Sequence, residues 1–395
     1  MKQLVYPVLG VFLLALSACS REDGFTTDLN ETATRSLATD YVEPLFNYSE
    51  QLEIHPENFR LIFQDDEPNE VIWNPSLRSF QTNELLQVRR VSDNVCRITS
   101  YIPKPLKNVV IKSQINEKDG YFELLKIDSI PAFGQFEFTP NFVNKRTTYK
   151  TELGGYVSIQ VSTIPDFISF QVESSDPLWN MLSRIKVAWN FNFNEHGWGS
   201  SWRDMNVLYA REWVVMITNY AYIVSTPEWE YLIDHWKEVT GADLYANVSK
   251  KVVIDYQAFF RAARAKRSAT LGLTAIGGGL GGGSVVGVDH WNFYSHYRSQ
   301  GYLAIAHECG HWFGYGHESS ICNNYGHSDY SSVIMYLHDY MWKRNMIPYT
   351  DRDMLGFVNY KGTPLFQHPT VDNGLYNYNV GPNYIANWFI AHPVR

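Results

Sequence analysis

The sequence predicts a multidomain chain, with an N-terminal all-β, sandwich-like domain followed by an α+β domain built around one histidine-bearing helix. Three observations carry this. Between Tyr41 and Glu173, short apolar runs recur between clusters of turn residues, the pattern of antiparallel strands. Near Asp176 the pattern gives way to a tryptophan-rich mix of helical and extended segments. Late in the chain, His307 and His311 stand four residues apart, a spacing that stacks them on one face of a helix.

Composition bounds the rest. Hydrophobic residues are 45% of the chain and charged residues 19%, so a core can be buried and disorder is not expected. The net charge of −8 argues against nucleic acid as a partner, because phosphate binding needs a basic face. Aromatic residues, at 15%, fit either an aromatic core or surfaces that stack on sugars and peptides, and the core is the simpler account.

Residues 1–18 read as a signal segment: Lys2 gives a positive start, and Leu4 to Leu16 is apolar but short for a membrane span. Leu16-Ser17-Ala18-Cys19 resembles a bacterial lipobox. By that resemblance Cys19 carries lipid, the chain is attached to a membrane through its N terminus, and Ser20 after the cysteine favours the outer membrane. Residues 19–40 are polar and read as a tether.

In residues 41–175, Phe59–Phe63, Val109–Ile111 and Phe122–Leu125 are strand-like. In Tyr156–Ser162, residues Val157, Ile159 and Val161 alternate onto one face. The segment holds no cluster of metal ligands. Cys96 lies in a strand-like run and reads as a buried thiol.

In residues 176–395, Glu228–Trp236 reads as a helix with Pro227 in its first turn and Gly241 past its end. A second helix is expected over Asp255–Lys266, with Arg261, Arg264, Lys266 and Arg267 on a solvated face. The run Ile276–Val288 is glycine-rich but lacks the Gly-Lys-Ser/Thr ending of a phosphate loop, and its glycines predict a bulged or closely approached strand. Cys309 and Cys322 flank the histidines, and whether they are bonded is left open.

The histidine stretch itself runs His307-Glu308-Cys309-Gly310-His311-Trp312-Phe313-Gly314-Tyr315-Gly316-His317. Two neutral imidazoles one turn apart can hold one metal ion. Glu308 stands beside the first, where its carboxylate can reach a water at the metal. Gly314 can take positive φ, end the helix and bring His317 round as a third ligand. Three protein ligands with one open position is the usual arrangement of a catalytic zinc.

This H-E-x-x-H-x-x-G-x-x-H pattern resembles the metzincin zinc metallopeptidases. Downstream, Ser332–Tyr336 stands where that family has its Met-turn, and Ile347–Tyr360 resembles the end of a matrixin catalytic domain, although Leu337 stands where matrixins carry proline. The resemblance covers about a quarter of the chain, from near Gly277 to Tyr360. It implies one catalytic Zn2+ on His307, His311 and His317, Glu308 as general base, and Met335 beneath the metal. It also implies an edge strand within Gly277–Val288, including Gly283, Ser284 and Val285, that pairs with extended substrate. The implied activity is a lipid-anchored endopeptidase acting on protein or glycoprotein. The alternatives are a surface lipoprotein that binds glycan or protein beside a non-catalytic metal site, and a zinc amidase acting on cell-wall peptides. The intact Glu308 favours the enzyme, since a binding site needs no base.

Overall fold

Apolar residues alternating with polar ones, broken by turns, build the first half of the chain as antiparallel strands. The computed structural model describes residues 54–350 and 381–394, except 65–67, 69–73, 75–76, 195–197, 290–291, 294–299 and 324–325. Cys19, the signal segment, the tether and the matrixin-like tail from Asp351 onward therefore lie outside the described residues. The strands are β1 (Arg60–Leu61), β2 (Ser79–Gln81), β3 (Leu86–Arg90), β4 (Cys96–Ser100), β5 (Leu106–Gln114), β6 (Phe122–Ile130), β7 (Gly134–Phe138), β8 (Thr147–Lys150), β9 (Tyr156–Ile159) and β10 (Ser169–Ser174). They form antiparallel sheets in the orders β1-β7-β4-β3 and β10-β5-β6, with β8 and β9 as a separate hairpin. Cys96 is buried within β4, where burial pushes its thiol up to about 12.

The second half follows as α1 (Pro177–Leu182), β11 (Trp189–Phe193), β12 (Trp202–Arg203), α2 (Val207–Ile223), α3 (Pro227–Asp234), α4 (Trp236–Thr240), β13 (Tyr245–Asn247), β14 (Val252–Val253), α5 (Tyr256–Arg264), β15 (Arg267–Thr274), β16 (Gly279–Gly282), β17 (Val285–Val288), α6 (Gln300–Trp312), α7 (Tyr330–Trp342) and α8 (Tyr384–Ala391). The fold is thus mixed α/β with several antiparallel sheets. Its central sheet has the order β16-β17-β15-β11-β2, with β12 paired to β15. β11, β15 and β17 run parallel, and the two outermost strands, β16 and β2, run antiparallel to their neighbours. None of the helices among the described residues is long and apolar enough to cross a membrane.

Local expectations resolve in instructive ways. The segment expected as one helix over Glu228–Trp236 is two, α3 and α4. The chain leaves helical geometry at His235, whose ring stacks on Tyr231 and whose Nδ1 lies 3.0 Å from the Tyr231 carbonyl. Gly241 then ends α4 in the left-handed region, at φ 77°. α5 starts where expected, with the Asp255 carboxylate accepting from the Ala258 N–H.

β2 belongs to the first half of the sequence but completes the sheet of the second. Thr82 ties it down: its hydroxyl donates to the Val187 carbonyl at 2.6 Å and accepts from the Trp189 N–H at 3.1 Å. Phe80 packs its ring against Phe191, Phe193 and Tyr101. From the other side, buried Arg211 of α2 donates to the Phe63 carbonyl at 2.7 Å. One aromatic core therefore spans both halves, and the described residues belong to a single compact unit.

Two outcomes follow for stability. Phe80→Ala should cost about 3–5 kcal/mol in denaturant unfolding, the range for emptying a buried phenylalanine site. A fragment of residues 176–395, deprived of β2, should show no cooperative melting transition by circular dichroism, whereas residues 47–395 should.

Candidate metal centre

α6 carries His307, Glu308 and His311 and packs against the β16–β17 hairpin. Its other side presses on the segment after His317. A β-carbon on Gly310 would lie only 2.7 Å from Cys322 Sγ and Ile321 Cγ2, so any larger residue would push the helix off. The helix closes as its spacing predicts: the Phe313 N–H donates to the Cys309 carbonyl and the Gly314 N–H to that of His311. Gly314 then takes φ 100°, a conformation open to glycine at little cost. The reversal carries the chain round to His317.

The three imidazoles converge. His317 Nε2 lies 3.2 Å from His311 Nε2 and 3.3 Å from His307 Nε2. His311 Nδ1 lies 2.8 Å from the Tyr315 carbonyl, which can only accept, so Nδ1 is the protonated nitrogen and Nε2 carries the lone pair. A tetrahedral ion with metal–nitrogen bonds of about 2.05 Å holds its ligand nitrogens about 3.3 Å apart. The donor set and its spacing therefore fit a small metal ion. Among the described residues this is the cluster of metal-ligating side chains that forms. His307 is buried, His311 half-buried and His317 exposed, so the site opens on the His317 side.

Glu308 is buried between α6 and β16, and desolvation pushes its carboxyl up to about 8. Burial also holds His311 below the ordinary imidazole value, partly offset by its bond to the Tyr315 carbonyl and reinforced by neighbouring His317. The thiols of Cys309 and Cys322 are free and buried, so no disulfide links them. Cys322 Sγ lies 3.6 Å from the His307 carbonyl and 3.4 Å from that of Tyr315, with burial pushing its thiol up to about 12.

Some expected residues take other places. Met335 lies in the middle of α7 and no turn forms there. The stretch Tyr330–Trp342 has no glycine or proline to break it and is buried from Tyr330 to Met341, so it stays helical. The residues expected on an edge strand also take other places. Gly283 and Ser284 are the two-residue turn of the hairpin, and Val285 opens β17, which is interior between β15 and β16. Within Gly277–Val288 the strand at the edge of the sheet is β16, Gly279–Gly282. His327 is not in the histidine cluster; its Nδ1 lies 2.9 Å from the Tyr336 hydroxyl. His290 and His296 are outside the described residues. Pro348-Tyr349 is held to α2, where Asn219 bonds both the N–H and the carbonyl of Tyr349, at 3.1 and 2.8 Å.

Two supports escaped the sequence reading. Arg267, expected on a solvated helix face, is the first residue of β15. Its guanidinium donates to the Trp312 carbonyl at 3.0 Å and the Ala262 carbonyl at 3.1 Å, and lies 5.3 Å from the Phe313 ring centre. It thus caps the carboxyl ends of α6 and α5 with one positive charge. Ser320 fixes the loop after His317. Its hydroxyl accepts from the Tyr245 N–H at 2.6 Å, and the Val248 N–H donates to the Glu318 carbonyl at 2.8 Å. An arginine that opens a strand and a serine three positions after a histidine have no sequence period to betray them.

The metal-free protein should show a defined pH dependence. Glu308 holds its proton more tightly folded than unfolded, so its contribution is full at pH values below 4.5 and is lost as pH rises towards about 8. The melting temperature of the parent, relative to Glu308→Gln, should therefore fall across that window. A divalent metal at 100 times its dissociation constant should stabilise the parent by about 2.7 kcal/mol and leave His311→Ala unaffected, read from melts with and without metal. Comparison of the chain with protein-family models, curated proteins and solved structures finds no match.

Proposed function

We propose that this chain is a zinc-dependent endopeptidase of the metzincin type, carried on the outer membrane by lipid on Cys19. In this reading the N-terminal sheets are a sandwich-like support that completes the sheet of a metzincin-like catalytic domain. The observation that carries the reading is the convergence of three Nε2 atoms at 3.2 and 3.3 Å, with a buried glutamate next in sequence to the first of the three histidines. Three histidines leave one position of a tetrahedral ion open, and this ligand set suits zinc. A zinc ion held there would supply charge to polarise a peptide carbonyl and acidify water. His311 is kept in the right tautomer by the Tyr315 carbonyl. With that positive charge close by, Glu308 would stand as the carboxylate, accept the proton of the attacking water and pass it to the leaving nitrogen. β16 lends its open edge to an extended protein or glycoprotein chain, fixing it through backbone hydrogen bonds.

The test compares the parent with Glu308→Gln. Both should hold one zinc per chain by elemental analysis. The parent should cleave an unstructured protein such as casein, and the variant should be slower by about 10²–10⁴-fold, the usual worth of a general base. Equal cleavage by the two would place the chemistry elsewhere.

A further inference from the structure

Gly279 and Gly281 stand two residues apart on β16 and so share a face, which is turned to α6. A β-carbon on Gly279 would lie 2.5 Å from Glu308 Oε1, 2.6 Å from Cγ and 2.7 Å from the carboxyl carbon. One on Gly281 would lie 2.8 Å from Oε2 and 2.9 Å from the Glu308 α-carbon, and would collide with the Glu308 carbonyl oxygen. Ordinary contact begins at 3.4 Å. Neither glycine is among those with positive φ, unlike Gly278, Gly282 and Gly283, so backbone conformation does not call for glycine at these two positions. The closeness of Glu308, side chain and backbone, does.

The hairpin register adds a second consequence. The Asp289 N–H donates to the Gly278 carbonyl at 3.0 Å. In an antiparallel pair, residues alternate between bonding inward and facing outward. Gly278, Leu280 and Gly282 therefore bond towards β17, and Gly279 and Gly281 turn their N–H and carbonyl groups to the open edge.

We propose that Gly279 and Gly281 are positioning residues for Glu308, seating its carboxylate flat against the edge strand at the point where that strand offers its backbone to an extended chain. The proposal rests on the reading of Glu308 as general base. The two glycines act differently. The three atoms nearest a β-carbon on Gly279 all belong to the Glu308 side chain, whereas one on Gly281 also meets the Glu308 backbone, so Gly281 sets the distance between helix and strand.

The experiment is a double-mutant cycle on the full chain. Gly279→Ala and Gly281→Ala are made in the parent and in Glu308→Ala. Gly155→Ala serves as control, because a β-carbon there meets nothing nearer than 3.8 Å. Each protein is melted metal-free, assayed for zinc, and, where Glu308 is intact, tested on casein. Gly279→Ala should bind zinc like the parent and lose about 10²-fold in kcat, the cost of a misplacement near 1 Å. Its KM should stay within about threefold, because the backbone groups that would hold the chain are kept. Its drop in Tm should vanish in the Glu308→Ala background, while that of Gly281→Ala should persist there. Parental kcat in Gly279→Ala, or an equal Tm drop in both backgrounds, would overturn the proposal. A parent that cleaves nothing would remove the peptidase reading instead, and the melting cycle would still decide whether Gly279 seats Glu308.

Discussion

Three imidazole nitrogens held 3.2 and 3.3 Å apart impose a demand that a protein meets only with something shared between them. His311 brings a lone pair, because its other nitrogen donates to the Tyr315 carbonyl. A proton on His317 Nε2 satisfies one neighbour and leaves the other lone pair facing it. A doubly charged ion satisfies all three at once. The elements around the trio hold it in this arrangement: Gly314 turns the chain, Arg267 neutralises the end of the helix, and Ser320 pins the returning loop.

That arrangement depends on structure far from it in sequence. α6 packs on a sheet whose outermost strand opposite the hairpin is β2, more than two hundred residues earlier. Trp189 of β11 links the two regions. Its backbone N–H bonds Thr82 beside β2, and its ring meets the rings of Trp312 and Phe313 at the end of α6. A disturbance at β2 thus reaches the histidine helix through one shared layer of aromatic rings.

The histidine site was legible because its ligands obey a local rule, the pitch of a helix followed by a glycine turn, and His307, His311 and His317 need no distant partner to declare themselves. The antiparallel character of residues 60–174 was legible for the same reason, through a period of two. What could not be read was pairing over distance. β2 is three residues long and gives no sign that it joins β11. α2 is buried almost all round, so it has no polar face and no amphipathic stripe to find. Met335 misled for the opposite reason: a family spacing suggested a turn, but the residues around it are buried and include no glycine or proline to interrupt the helix.

The glycine-rich hairpin shows how the two kinds of information combine. Each glycine within a strand costs about 0.5–1 kcal/mol against alanine, so such a run persists only where side chains are excluded. On one face Glu308 and its helix fill the space above Gly279 and Gly281. On the other, register pairs Gly287 with Gly272, and the Trp202 ring lies where the β-carbons of both would be. A sheet gripped this closely from both sides transmits position rather than absorbing it, because the carboxylate on one face and the indole on the other lie directly against its backbone. The strand at the open edge is therefore held at a fixed height against the histidine helix, and the bareness that reads as low complexity in the sequence is what fixes that height.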